Sequence, residues 1–240
     1  MKGFAQTDVG RVRSVNQDAF YIPAAGEKFA VVADGMGGHK AGEIASKIAV
    51  EEFTRWLRCA PRPDEETLRY AVSEANRAIY LKAKMEPDKA GMGTTLTALW
   101  VDAAHVYLAH VGDSRAYLLR HGKISRLSHD HSVVAEMLER GEITPEEAKV
   151  HPHRHYITRA LGTGAHVTPD IERFERRAGD VWLLCSDGLT NYVEENELEE
   201  LMKGPGEWTK KIALMVELAL RRGGSDNITV LVAFSDGGAV

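Results

Sequence analysis

The order in which strand-like and helix-like patterns follow one another most limits how this chain can fold. Short apolar runs typical of buried strands come first, as at Phe29–Ala33, and amphipathic helical patterns follow over 40–58 and 64–83. The later patterns are strands at 95–101, 106–111, 116–119 and 124–127, two short helices within 133–149, a strand at 181–185, a helix within 206–222 and a strand at 228–234. Because helices do not alternate regularly with strands, the sequence predicts an α+β fold and not a doubly wound sheet.

A glycine-containing turn divides two of the central strands. Gly112-Asp113-Ser114 stands between the strand-like runs at 106–111 and 116–119. A short turn of this kind between two apolar runs is typical of a β-hairpin. We therefore expect these two strands to be neighbours in one sheet.

Length and composition fit a globular protein of one or two domains. The chain has 240 residues, of which 44% are hydrophobic and 27% are charged, so extended disorder is excluded. The net charge of −5 argues against nucleic acid or an anionic membrane as the main partner, because both need a basic face. Two cysteines are too few for a disulfide framework, and the sequence shows neither a membrane-spanning run nor a signal peptide. We expect a cytoplasmic protein without membrane insertion.

Four turns beside strand-like runs contain an aspartate, at Asp34, Asp113, Asp187 and Asp226. Turns at strand ends can meet in space even when they are far apart in sequence. Carboxylates that meet need a cation to stay ionised, and oxygen ligands without a nearby cysteine favour Mg²⁺ or Mn²⁺. Asp is also a common turn residue, so this pattern alone leaves a purely structural explanation open.

The short sequences around these aspartates are more specific than the turns themselves. In chain order they are Arg13-Ser-Val-Asn16-Gln17-Asp18, Asp34-Gly35-Met36-Gly37-Gly38-His39, Gly91-Met-Gly93-Thr94-Thr95, Gly112-Asp113-Ser114-Arg115, Asp130-His131-Ser132, Thr158-Arg-Ala-Leu161-Gly162, Ser186-Asp187-Gly188 and Ser225-Asp226-Asn227-Ile228-Thr229. This ordered set, from about Gly3 to Phe234, resembles the bacterial form of the metal-dependent type 2C (PPM) serine/threonine protein phosphatases. Eight blocks in order favour the functional explanation.

The resemblance implies a four-layer α-β-β-α sandwich, in which two antiparallel sheets are flanked by helix pairs. The helical patterns at 40–58 and 64–83 would form one pair, and the second would include residues 206–222. Residues 1–240 would form a single domain, because its metal ligands come from both ends of the chain. Residues 132–162 match a segment beside the active site, here called the flap, whose Gly141 and helix-loop composition suggest a mobile substrate gate.

The resemblance also implies a centre of two Mn²⁺ or Mg²⁺ ions, with a third ion expected. Asp34 would bridge the two ions, the carbonyl of Gly35 would ligate one, and Asp187 and Asp226 would complete the shell of the other. The third ion would lie between Asp113 and Asp187. A hydroxide shared by the two ions would attack the phosphorus of phosphoserine or phosphothreonine directly, without a phosphoenzyme.

Two further residues gain roles from the resemblance, and two questions stay open. Arg13 would clamp the phosphate with its forked guanidinium, and Asp18 would hold water on the metals. Many relatives have Glu where this chain has Gln17, so the role of Gln17 is open. The leaving oxygen needs a proton, for which His39 and water are the competing donors, because Met36 stands where other members have a histidine.

Three other sequence features resemble functional motifs, but structural explanations fit them better. The alternating His151, His153 and His155 suit a polar flap surface better than a His₃ metal site, because they lack a neighbouring carboxylate or cysteine. Cys185 is not a tyrosine-phosphatase nucleophile, because Asn191 stands where that mechanism needs an arginine; we expect it to pack in the core. The Gly-rich run after Gly35 lacks the spacing of a dinucleotide fingerprint.

Three functions remain to be compared. An active phosphatase acting on phosphoproteins, among them a bacterial serine/threonine kinase, fits the complete set of metal aspartates together with Arg13. A catalytically inactive binding module on the same fold usually lacks one of those carboxylates. The stress-regulator branch of the family generally lacks the Arg-containing first motif and the flap, both of which are present. The sequence therefore favours the active enzyme, expected to be a monomer, over the other two.

Overall fold

The computed structural model describes residues 1–38 and 41–234. Its strands are β1 (Lys2–Asp8), β2 (Asp18–Tyr21), β3 (Phe29–Met36), β4 (Gly93–Thr94), β5 (Leu96–Val101), β6 (His105–Val111), β7 (Arg115–Arg120), β8 (Lys123–Arg126), β9 (Asp170–Glu175), β10 (Val181–Cys185) and β11 (Ile228–Phe234). Its helices are α1 (Ala41–Cys59), α2 (Glu65–Met85), α3 (Val133–Glu139), α4 (Pro145–Val150), α5 (Asp187–Thr190), α6 (Glu195–Lys203) and α7 (Trp208–Arg221), with a 3₁₀ turn at Pro87–Lys89.

The strands form two antiparallel sheets that pack face to face. One sheet has the order β1-β11-β10-β7-β8, and the other has the order β2-β3-β5-β6-β9 with β4 paired to β3. Their inner faces share a buried core that includes Val32, Leu108, Trp182 and Leu231. The prediction of an α+β sandwich is confirmed.

Each sheet is covered on its outer face by helices. Strand β3 shows how one apolar run serves both faces, because Val31 and Ala33 pack in the core shared with α1 and α2, whereas Ala30 and Val32 face the other sheet. Helices α6 and α7 cover the second sheet through a separate core that includes Leu198 and Val216. The predicted helices at 40–58, 64–83 and 206–222 are confirmed, and α2 begins where the side chain of Asp64 accepts a hydrogen bond from Thr67 N at 2.7 Å.

The predicted hairpin at Gly112-Asp113-Ser114 is wrong. Strand β6 pairs with β5 and β9, whereas β7 pairs with β8 and β10 in the other sheet. The turn therefore carries the chain across the sandwich. Gly112 has a φ of +109°, and a Cβ there would lie 2.5 Å from the side chain of Thr95, so only glycine fits this crossing. Apolar runs on both sides of a turn do not specify which sheet each run joins.

The flap contains the two predicted short helices, α3 and α4, on either side of Gly141. Ser132 caps α3 through a hydrogen bond from Ala135 N, and Thr144 forms a capping box with Glu147 before Pro145. An isolated β-bridge between Ser132 and Ile157 closes the base of the flap, and a second bridge, between Thr94 and Leu161, ties the end of the flap to the body. The flap is thus closed at its base and anchored to the body near Leu161.

The two cysteines are unpaired, and Cys185 is fully buried in strand β10, as expected for a small core residue. Burial raises the pKa of its thiol to about 12, which makes it a poor nucleophile. Among the described residues, none of the helices combines the length and apolarity needed to cross a membrane.

Candidate metal centre

Five aspartates meet where strands of the two sheets end. Asp18 begins β2 and lies directly opposite Asp34 of β3 in the register of the second sheet. The other three stand in connections, with Asp113 in the β6–β7 crossing, Asp187 after β10 and Asp226 before β11. The pKa of Asp34 is raised well above its ordinary value by burial first and then by the charges of the other four. The structure therefore brings all the predicted metal aspartates together.

The backbone of Asp34 is held on both sides by threonines. Asp34 N donates to Thr95 Oγ1 at 2.9 Å, and Asp34 O accepts from Thr95 N at 2.9 Å and from Thr94 Oγ1 at 2.9 Å. Strand β3 continues through this point to Met36, three residues beyond the predicted end at Ala33, because Gly35 and Met36 pair with β4. The carboxylate of Asp34 thus projects from a rigid strand and not from a loop.

Asp187 and Asp226 are brought together by a close approach of two backbones. Asp187 is the first residue of α5, and Asp226 precedes β11. A Cβ on Gly188 would lie 2.0 Å from the backbone oxygen of Asn227, so glycine is required for α5 to pack against this connection. Asn191 then donates to Asp187 Oδ2 at 3.0 Å, which orients the carboxylate.

Asn227 ties the N-terminal loop to the same site. Its side-chain amide donates to Val9 O at 2.9 Å and to Val15 O at 3.0 Å, and its Oδ1 accepts from Gln17 N at 2.8 Å. This loop carries Arg13, whose Nη2 lies 2.7 Å from Asp226 Oδ2 while half of the side chain stays exposed. The pKa of Arg13 is raised, chiefly by its hydrogen bond to Asp226, so the guanidinium remains charged at the mouth of the site.

Asp18 is the most deeply buried of the five carboxylates. Its Oδ2 accepts hydrogen bonds from Ser186 Oγ at 2.8 Å and from Thr229 Oγ1 at 2.6 Å, whereas its Oδ1 is buried without a hydrogen-bond partner. Burial raises the pKa of Asp18 to about 7, although these two hydrogen bonds oppose the shift. A buried acceptor atom without a partner is costly unless a cation or water satisfies it.

Asp113 and Asp187 also have raised pKa values. The pKa of Asp113 lies well above its ordinary value because of burial and then the charge of Asp187. Burial, followed by the charge of Asp226, raises the pKa of Asp187. Carboxylates so arranged keep their charge at neutral pH only when a cation compensates them.

The donor set fits hard divalent cations. Carboxylate and carbonyl oxygens are the ligands that Mg²⁺ and Mn²⁺ prefer, and Asp18 Oδ1 is a buried acceptor that a cation or its water would satisfy. Within residues 1–38 and 41–234, however, no three His, Cys, Asp or Glu side chains are close enough to one point to hold an ion by themselves. Backbone oxygens and water must therefore complete any coordination shell here.

A cavity of about 540 Å³ opens beside Asp113 and Asp187. Its walls come from helices α3 and α4 of the flap on one side and from the α5–α6 connection on the other. His155 of the flap lines it and is exposed. We call this space the flap cavity.

Three sequence expectations have different outcomes at this site. His39, the candidate proton donor, lies outside the described residues. The side chain of Gln17 donates to Gly37 O at 3.3 Å, which leaves its role open. His151 is half-buried and His153 and His155 are exposed; in the described part of the chain, the three do not form a metal site.

Sequence reasoning missed the residues that orient the carboxylates. Ser186 and Thr229 hold Asp18, Asn227 holds the loop of Arg13, and His131 contacts the backbone beside Asp113. All four lie within the ordered motifs, so their positions were visible. Their roles depend on contacts between parts of the chain that are far apart in sequence.

The comparisons with known proteins agree on one family. The chain matches the sequence model of the Protein phosphatase 2C family over residues 7–229. It is 44% identical over 230 residues to the serine/threonine protein phosphatase PstP of Mycobacterium tuberculosis, an alignment that covers 95% of this chain and 44% of that protein. It thus spans less than half the length of this relative.

A second relative and a solved structure of the PstP catalytic domain are covered over nearly their whole length. The serine/threonine phosphatase stp of Listeria monocytogenes is 41% identical, with 96% of this chain and 94% of that protein covered. The solved catalytic domain of PstP, in complex with two manganese ions, superimposes with a TM-score of 0.87 at 43% identity, and 96% of each chain is covered.

Proposed function

Because the chain belongs to the protein phosphatase 2C family, we propose that it hydrolyses phosphoserine and phosphothreonine in proteins, with Mn²⁺ or Mg²⁺ as cofactor. The observation that carries this proposal is the convergence of Asp34, Asp187 and Asp226 beside the guanidinium of Arg13. Carboxylates that collect cations, next to an arginine that can grip phosphoryl oxygens, are what hydrolysis of a phosphate monoester requires.

We propose that Asp34, the carbonyl of Gly35, Asp187 and Asp226 hold two ions, and that Asp113 and Asp187 hold a third. The manganese ions in the solved PstP domain support this proposal. Divalent ions in such a site lower the pKa of water so that a hydroxide nucleophile is available near neutral pH, and they neutralise charge on the phosphoryl oxygens.

Arg13 is proposed to bind the phosphoryl group. Its Nη2 is engaged with Asp226, which leaves further N–H groups of the fork for phosphoryl oxygens. Because half of its side chain is exposed, the fork can reach a phosphorylated residue that arrives from solvent. Arg13 would thus orient the phosphoryl group against the aspartate cluster.

Asp18 is proposed to act through water. Ser186 and Thr229 fix one carboxylate oxygen, so the other, Oδ1, is held in a constant orientation and is free to accept a hydrogen bond from water. A carboxylate held in this way orients a water molecule for attack. The proton for the leaving serine or threonine oxygen comes from His39 or from water, and loss of the basic limb of the pH–rate profile in His39→Gln would assign it to His39.

We further propose that the protein works as a cytoplasmic monomer and that its substrates include a serine/threonine kinase. The low cysteine count and the absence of a disulfide between Cys59 and Cys185 fit a reducing compartment. Light scattering on the purified chain tests the oligomeric state, cell fractionation tests the compartment, and dephosphorylation of a phosphorylated kinase domain from the same organism tests the partner.

One experiment tests the proposed activity directly. Purified protein should release phosphate from a phosphothreonine peptide in the presence of Mn²⁺, and excess chelator should abolish the release. Asp187→Asn should lose the activity, whereas Asp88→Asn, a change at an exposed position outside the cluster, should retain it. Turnover that persists in chelator would refute the proposal.

A further inference from the structure

The flap cavity is continuous with the aspartate cluster and is also lined by charged side chains outside that cluster. Asp113 and Asp187 line its inner end, and side chains from β7, β8, the flap and the α5–α6 connection line the rest. Residues that flank a phosphorylated residue at the cluster would be within reach of this cavity. What the cavity binds therefore bears on which phosphoproteins fit.

Two arginines at the base of the flap cavity share a single carboxylate. Arg115 Nη2 lies 2.8 Å from Asp130 Oδ2, and Arg126 Nη2 contacts the other oxygen of the same carboxylate. The Nε–H of Arg126 is buried and has no hydrogen-bond partner. The base of the cavity thus has an unpaired donor and one more positive charge than its local anion can neutralise.

A third arginine adds to this charge. Arg154 of the flap lines the cavity, and the ion pairs among the described residues do not include its side chain. Elsewhere in the cavity wall Lys149 contacts Glu194 at 2.9 Å, and the ring of His129 lies 2.9 Å from Glu139. Away from the aspartate cluster, the described lining therefore offers cationic groups that lack partners.

We propose that the flap cavity binds an anionic side chain of the phosphoprotein substrate, a carboxylate or a second phosphate near the residue that is dephosphorylated. This inference rests on the proposed phosphatase function. Arg126 and Arg154 would donate to the anion, and apolar side chains such as Val134, Leu138 and Ala148 would pack against its aliphatic stem.

Local charge, not the overall charge of the molecule, favours an anionic side chain as the occupant. The chain carries a net charge of −5 and the cavity lining also contains carboxylates, so an acidic side chain is attracted only beside Arg154 and the unpaired Nε–H of Arg126. A concave, partly open cavity of about 540 Å³ also suits one or two side chains better than a flat membrane surface.

The test is a scan of phosphothreonine peptides that carry glutamate, glutamine or phosphoserine at each neighbouring position in turn. At one position, wild-type enzyme with Mn²⁺ should show a kcat/KM about tenfold higher for glutamate than for glutamine, through KM more than kcat. Mass spectrometry identifies which phosphate leaves. A larger gain with phosphoserine than with glutamate means that the cavity favours a second phosphate; an equal gain means that a carboxylate is enough.

Variants connect the preference to the cavity. Arg126→Gln and Arg154→Gln should each reduce the glutamate-to-glutamine ratio. Arg126→Lys keeps the positive charge and replaces Arg126→Gln if that variant does not fold. It should keep part of the ratio. Arg140→Gln, at an exposed flap position paired with Glu136, is the matched control and should keep the full ratio.

Two results would overturn the inference. An active wild-type enzyme with equal rates for glutamate and glutamine at every position would refute it and leave the phosphatase function intact. A preference that survives unchanged in both arginine variants would assign it to another surface. If the wild-type enzyme with Mn²⁺ hydrolyses neither peptides nor p-nitrophenyl phosphate, the proposed function fails, and this inference fails with it.

Discussion

His131 and Gly112 hold each other by two hydrogen bonds. The backbone N–H of Gly112 donates to His131 Nδ1 at 3.0 Å, and the backbone N–H of His131 donates to Gly112 O at 2.8 Å. Nδ1 is therefore the acceptor, so the ring proton sits on Nε2, which lies 3.0 Å from Asp170 Oδ2. The β6–β7 crossing that carries Asp113 is thus fastened to the residue that immediately precedes the flap.

We predict that this contact positions Asp113. His131→Ala removes the buried acceptor of Gly112 N and should lower the free energy of unfolding by about 1–3 kcal/mol. It should also weaken Mn²⁺ binding at Asp113, detected by calorimetric titration as loss of the weakest ion. His131→Asn, whose amide oxygen can replace Nδ1, should recover part of both effects; an Ala variant with wild-type titration would contradict the prediction.

Asp34 and Asp187 should be indispensable for metal binding and turnover. Asp34→Asn and Asp187→Asn each remove a negative charge from the cluster and should reduce kcat more than about 100-fold, the upper range for residues that merely support a metal site. Phosphopeptide assays measure the activity and calorimetry measures the Mn²⁺ stoichiometry. Full metal occupancy in both variants would show that other groups hold the ions.

Arg13 should act on substrate binding. Arg13→Lys keeps a charge but loses the planar fork, so KM for a phosphopeptide should rise about tenfold with a smaller effect on kcat. Arg77→Lys, which lies on α2 and pairs with Glu74, is the control with the same chemical change. Equal KM values for wild type and Arg13→Lys would exclude a phosphate-binding role.

The raised pKa of Asp18 makes a prediction about pH. Its pKa rises from 3.8 to about 7 on folding, chiefly through burial, so the folded chain binds a proton that the unfolded chain releases between these values. The contribution of Asp18 to the free energy of unfolding of the wild type therefore decreases as pH rises from about 4 to 7. Asp18→Asn cannot ionise, so in chelator its stability relative to wild type should increase from pH 5 to pH 8.

Comparison of the two proteins removes the effect of titrating groups outside the aspartate cluster. The pKa of Asp34, which the charge of Asp18 raises, is raised less in Asp18→Asn, and this change acts in the same direction as the prediction. Burial lowers the pKa values of His131 and His110, so their contributions to the free energy of unfolding increase over part of the same pH range. These contributions are equal in both proteins. Thermal unfolding at a series of pH values measures the difference. A difference that stays constant with pH would mean that Asp18 is not strained in the metal-free protein, and added Mn²⁺ should reduce the difference if the cluster binds it.

Gly188 should not tolerate a side chain. A Cβ there would lie 2.0 Å from Asn227 O, so Gly188→Ala should separate Asp187 from Asp226 and lower the free energy of unfolding by about 1–3 kcal/mol. Gly38→Ala, where a Cβ meets no atom within 4 Å, is the control. Chemical denaturation and Mn²⁺ titration of both variants provide the measurement, and unchanged Mn²⁺ affinity in Gly188→Ala would contradict the first expectation.

Much of the fold was accessible from the sequence because its signals are local. Periodic apolar positions indicated α1, α2 and α7, and continuous apolar runs indicated β3, β10 and β11. Each pattern is local, because it reflects only which face of the element is buried. The motif order likewise identified Asp34, Asp113, Asp187 and Asp226 without coordinates. The assignment of strands to sheets was not local, and the hairpin predicted at Gly112-Asp113-Ser114 failed for that reason.

The sequence alone determined the helices, most strands, the family resemblance and the identity of the acidic residues, since these follow from residue type and spacing. Only the tertiary structure decided that Ser186 and Thr229 grip Asp18 and that Arg126 and Arg154 line one cavity with Asp187. These relationships join residues from different sheets and from the flap. They arise because two sheets pack face to face and bring distant strand ends to one place, which no local pattern encodes.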